Sequence, residues 1–187
     1  MTRKNTLLLL FLCCCWLMTT AQTTSQPKTV SQDRPSRVNS VFLGVSGGMP
    51  IYHYISNRNS YFTGYSGQAE AFVFVTENIT VGANYTYNFF PGSDTLYRFA
   101  MDEVLISGAY HFKSSWNPHI SVGFGYYGEL GESHFGLTPG IGIMPKIANR
   151  VYFKARGSVA FFNIGGQLFK FEAGFTFMVF QHKPVKR

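Results

Sequence analysis

From Val41 onward hydrophobic and polar residues alternate with a period of two, the mark of strands whose two faces meet different surroundings. The last segment is the cleanest: Phe169, Phe171, Ala173, Phe175, Phe177 and Val179 form one face, Lys170, Glu172, Gly174 and Thr176 the other. In the segment before it Val151, Phe153, Ala155, Val159 and Phe161 oppose Lys154, Arg156 and Ser158. The stretches Ile79 to Phe89 and Ile120 to Tyr126 alternate equally well, with Thr, Asn, Ser and Gly on their polar faces. Four more segments, beginning near Val41, Tyr65, Glu103 and Phe135, alternate with exceptions. Phe72 and Phe74 join the polar face of their segment, and Pro139 withholds a ladder hydrogen bond from its own. No helical segment is predicted after residue 21. The fold expected is all-β: eight antiparallel strands, up and down, closed into a barrel over Val41 to Phe180.

The amino-terminal segment follows a different pattern. Arg3 and Lys4 precede an unbroken apolar run, Leu7 to Met18, and Thr19-Thr20-Ala21 supplies the small residues of a cleavage site. This is a secretory signal, residues 1–21, too short to span a bilayer as a helix. Cys13, Cys14 and Cys15 are the chain's only cysteines and lie inside it, and Leu12 stands where a lipoprotein signal wants a small residue. The processed chain is therefore expected to hold no disulfide and no thiol nucleophile. Residues 22–38 are rich in Ser, Thr, Gln and Pro and make a flexible polar leader. The barrel takes 39–180, and 181–187 form a basic tail.

Charge refines this division. The chain carries a net +7, yet Val38 to Phe180 holds eight basic and eight acidic residues and is neutral. The excess lies in the ends, which are expected to be solvated; no nucleic-acid partner is implied.

Composition then separates a membrane barrel from a soluble carrier. The sequence is 45% hydrophobic and 17% aromatic, with only 13% charged residues. A soluble barrel wets its exterior with many charges, whereas here the polar faces are mostly small, neutral residues suited to a narrow lumen. Eight strands of this length can cross a bilayer with every backbone group paired. Tyr85, Tyr87, Tyr97, Tyr126, Tyr127, Trp116 and Tyr152 stand near segment ends, as interfacial girdles do. Turns at 76–78, 113–118 and 147–150 and connections at 50–61, 91–100, 129–133 and 163–166 put both termini at one end, the periplasmic one in such barrels.

The pattern resembles the outer-membrane β-barrel domain family, the small eight-stranded barrels similar to the OmpA transmembrane domain and the opacity proteins. The resemblance spans Val41 to Phe180. It implies an outer-membrane location in a Gram-negative cell, with membrane lipid and the barrel-assembly machinery as partners. Glu172, Gly174, Phe177 and Val179 match the spacing of that machinery's recognition signal, although the chain continues through Gln181 to Arg187.

Parity aims Glu70, Glu103 and Glu172 into the lumen together with Lys154, Arg156 and Lys170. Such charges must pair in a low-dielectric interior. If the last hairpin turns near Ile164, Arg156 lies opposite Glu172 or one step diagonal to it. The set predicts a salt-bridged plug, with a gated narrow pore as the rival. His119 and Ser121 share a strand face, a spacing seen in barrel lipid hydrolases, but parity buries both near the periplasmic end with no acidic orienter nearby. The remaining histidines (His53, His111, His134 and His182) show no metal-ligand spacing. Gly44, Gly47 and Gly48 form no phosphate loop. The loop 50–61 mixes Tyr, His, Asn, Ser and Arg58, as a binding loop for an extracellular ligand does and equally as a tyrosine girdle beneath a wet loop does. The function expected is a structural or surface-interaction element with a closed lumen, without catalytic residues, cofactor or metal. A small-solute passage and a lipid-modifying enzyme are the alternatives.

Overall fold

The computed structural model describes residues 37–54, 60–92, 98–129, 132–163 and 166–181. The expected signal, most of the leader, Arg58, Tyr97, Ile164 and the tail from His182 lie outside the described residues. Ten strands are present: β1 (Val41–Tyr54), β2 (Ser60–Thr63), β3 (Tyr65–Phe74), β4 (Ile79–Phe90), β5 (Phe99–His111), β6 (Pro118–Glu129), β7 (Glu132–Ile143), β8 (Lys146–Ala148), β9 (Val151–Phe162) and β10 (Gln167–Phe180). They form eight staves, because β2 and β3 are one stave broken at Gly64 and β8 is a short strand beyond β7. Every neighbouring pair is antiparallel, and β10 pairs with β1 from Val41↔Phe180 to His53↔Gln167. The sheet is therefore closed, which leaves no edge to satisfy.

Proline explains where the ladders falter. Pro50 has no N–H to give, and the pairing of β1 with β3 stops at Gly48↔Ser66 before resuming with β2 at Ile51↔Thr63. Gly64 bridges the break by donating to the Pro50 carbonyl at 3.0 Å. The expected cost at Pro139 is also visible: β6 pairs through it, whereas the β7–β9 pairing lapses, in unchanged register, between Leu137↔Phe161 and Gly140↔Ser158.

At the end that carries both termini the connections are tight. The Thr76 hydroxyl accepts from the backbone N–H groups of Asn78 and Ile79 at 3.2 and 3.0 Å. Asn39, Asn117 and Arg150 take positive φ there, of 60°, 45° and 63°. At the opposite, loop end the expectation needs correction. Residues 50–54 and 60–61 belong to strands, so the 50–61 connection shrinks to 55–59, and Phe99 and Ala100 belong to β5. The alternation continues further than expected because large aromatics at these ends face inward and pack.

Alternation divides the staves as expected. Among the described residues their outward positions carry Val45, Ile106, Phe124, Phe171 and other large apolar groups, with Asp102 the one Asp, Glu, Lys or Arg. Asp102 lies near the loop end and accepts a hydrogen bond from the Tyr85 hydroxyl at 2.5 Å. Two members of the expected girdle are not on this surface. Tyr127 and Tyr152 are fully enclosed, for each follows the inward parity of its strand, Tyr127 with Gly123 and Gly125, Tyr152 with Lys154 and Arg156.

Inside, two apolar clusters close the cylinder. Phe42, Phe74, Met144, Tyr152 and Met178 pack at the termini end with Phe72 against them. Tyr52, Phe90, Phe99, Tyr127, Phe162, Leu168 and their neighbours pack at the loop end. Ring centroids lie 4.5 Å apart for the stacked Phe90 and Phe99 and 5.1 Å apart for Phe42 and Phe72.

Candidate functional site

Between the two caps lies the polar section, and it contains all six charges that parity aimed inward. The β9–β10 hairpin sets the first contact, because its register places Arg156 directly opposite Glu172. The guanidinium donates twice to one carboxylate oxygen, from Nε at 3.1 Å and Nη2 at 2.6 Å. Glu172 also lies 3.9 Å from Lys170. Lys170 reaches across the lumen to Glu103, with its Nζ 2.5 and 2.6 Å from the two oxygens, and neither side chain has exposed surface. Lys154 forms the third pair, with Glu70, whose other oxygen accepts from the Thr176 hydroxyl at 3.4 Å.

Neutral polar groups complete this belt. The Gln68 amide lies 3.0 and 3.2 Å from the Glu172 oxygens. With its nitrogen toward them it also donates to the Ser46 hydroxyl, while its oxygen accepts from Asn84 Nδ2 at 3.1 Å. Tyr127 and Thr138 share a hydrogen bond beneath the loop-end cap. Three acids and three bases make the section neutral. A buried pair breaks even with an apolar isostere at best, whereas a buried charge that has lost its partner is strongly unfavourable. The belt is thus held together by the cost of opening it.

The residues of the assembly pattern divide between faces. Glu172 and Gly174 point inward, while Phe177 and Val179 are exposed outside. Gly174 has a local reason: a Cβ there would stand 2.1 Å from the Val45 carbonyl oxygen across the β1–β10 seam.

His119 and Ser121 line a small chamber between the belt and the termini-end cap, with about 30 Å³ of room for water. Glu70, Thr80, His111, Met144 and Lys154 also line it. Sequence spacing alone did not join His111 to His119. The β5–β6 register does, pairing them directly across the hairpin with ring centroids 5.0 Å apart. His134 is buried at the loop end, 3.7 Å from the Glu132 carboxylate, and His53 stacks on Tyr61 with centroids 4.4 Å apart. Arg37, just before β1, lies over the Phe74 and Tyr152 rings at 5.7 and 5.4 Å and covers the termini-end mouth.

The aromatic caps were the part of the lumen that sequence reasoning missed. Strict parity on β6 and β9 carries the signal for Tyr127 and Tyr152; proximity to a segment end concealed it.

No sequence-family model and no curated protein matches the chain. Solved structures do. Neisserial surface protein A is similar over 74% of this chain and 96% of its own, at 14% identity and a TM-score of 0.64. The N-terminal β-barrel domain of Pseudomonas aeruginosa OprF (17% identity, 75% and 98% covered, TM-score 0.47) and the attachment invasion locus protein Ail of Yersinia pestis (9%, 75% and 99%, 0.49) align more loosely. The chain has the fold expected of it, the closed eight-stranded barrel shared with the neisserial surface protein.

Proposed function

We propose that this protein is an integral outer-membrane barrel that serves as a sealed structural or surface-interaction element and does not conduct solutes. The observation that carries the reading is the division of the staves. Outward positions are apolar around the barrel, while three acid–base pairs between two aromatic layers close the interior. An aqueous exterior would leave these large apolar groups in water on every side, a burden far beyond the patches that soluble monomers expose. A bilayer removes it, and closure pairs the backbone. The termini end then faces the periplasm, and the loop end, with its outward tyrosines and Asp102, faces the outside. Any external ligand would meet short connections and the Tyr61–His53 stack.

An enzyme reading of His119 and Ser121 gains little, since both face a chamber sealed from the lipid surface. Planar-bilayer recording tests the proposal. The refolded barrel should insert without steady conductance, and long-lived openings of uniform size would refute the seal.

A further inference from the structure

We propose that the chamber beneath the termini-end cap is a binding site for a soft monovalent metal ion, copper(I), held by His111, His119 and Met144. The inference concerns the interior alone and does not depend on the role proposed above.

The turn between β5 and β6 builds the site. Its register sets His111 opposite His119, both inward and both buried. Thr80 Oγ1 lies 3.1 Å from His111 Nε2 and takes up that nitrogen. In the tautomer whose Nε2–H donates to Thr80, Nδ1 is left as a lone pair, the form a metal requires. Asn117 approaches both rings, its side chain toward His111 and its backbone toward His119, but neither Nδ1 has a partner in good hydrogen-bond geometry. Unmet nitrogens in a closed interior need a partner.

Met144 is fixed by the same turn. Its N–H donates to the carbonyls of Trp116 and Asn117, each at 3.1 Å, and the Asn117 amide donates back to its carbonyl at 3.3 Å. Its side chain is buried and borders the chamber. Two imidazoles bound at about 2.0 Å on one ion, roughly 110–120° apart, have centroids about 5–5.5 Å apart. The rings already hold 5.0 Å.

Charge and softness select the ion. Calcium and magnesium need several oxygens, and Glu70, the one carboxylate lining the chamber, is engaged by Lys154. Two neutral imidazoles and a thioether suit a soft ion. Lys154 and Arg156 border the same space, so a single positive charge is repelled less than a double one.

The test uses the full chain refolded in detergent with Cys13, Cys14 and Cys15 replaced by Ser, titrated with Cu(I) under reductant against a chromogenic Cu(I) chelator. One equivalent should bind. His119→Leu and the volume-conserving Met144→Leu should each weaken it at least tenfold, while His53→Ala leaves it unchanged. X-ray absorption of the bound ion should show two nitrogen neighbours and one sulfur, a readout that holds even if His119→Leu does not fold. Failure of the folded barrel to bind Cu(I), undiminished binding in folded Met144→Leu, absence of sulfur scattering, or tighter binding of Zn(II) would each overturn the assignment.

Discussion

Lys170 and Glu103 have no exposed surface and meet across the lumen from strands far apart in sequence. Removing one partner strands the other, at about 3–5 kcal/mol. Lys170→Met and Glu103→Leu should therefore each lower the urea-unfolding free energy of the refolded barrel by that order, and the double variant should recover most of it. A double variant as unstable as the sum would show that the pair is not a closed unit. On the outer face Phe175→Arg should cost about 2–4 kcal/mol near mid-bilayer. Its inward neighbour Thr176 is fully enclosed, touching Glu70, so an arginine cannot be accommodated there. The informative contrast is Thr176→Ser, which loses one methyl, about 0.8 kcal/mol. Equal losses from Phe175→Arg and Thr176→Ser would contradict the face assignment. At this scale the alternation made the inward charges legible. Their partners were legible only within the β9–β10 hairpin, since pairs such as Lys154–Glu70 and Lys170–Glu103 form across the cylinder, where no local spacing records them.

The eight staves were visible because each repeats an inside–outside chemistry, cleanly in four and with exceptions such as Phe72 and Phe74 in the others. Their ends were not, because inward Phe90 and Phe99 look like the continuation of an apolar face or the start of a loop until the cap they build is seen. The β7–β9 seam was partly legible through Pro139. Its ring removes a donor on the side facing β9, where the pairing lapses, while the β6 side remains paired. Pro139→Val should supply that donor and raise stability by about 0.5–1.5 kcal/mol, with slowed amide exchange around Val159 and Ala160. A folded variant with unchanged stability and exchange would place the interruption elsewhere. The His111–His119 pairing belongs to this scale too: a hairpin turning between Phe112 and Pro118 aligns the two rings, although neither residue's neighbourhood in sequence announces a site.

The whole molecule combines a wall that needs an apolar surrounding with an interior that needs none of it. Two aromatic layers bracket a neutral belt of ion pairs, and Arg37 folds over one mouth. Closure of β10 on β1 ties the last strand to the first, so the wall is completed only when Gln167 to Phe180 is in place. The low charge content and the alternation foretold the outward apolar wall. What fills the lumen beyond its charges followed from packing, which composition does not encode. Lipid contact around the wall is the central claim. It is tested most directly with single nitroxide labels at Val45, Phe124 and Phe175 in barrels reconstituted into liposomes. Each label should be relaxed strongly by oxygen and weakly by a water-soluble nickel chelate. Labels relaxed predominantly by the chelate at these mid-wall positions would place the wall in water and contradict the account.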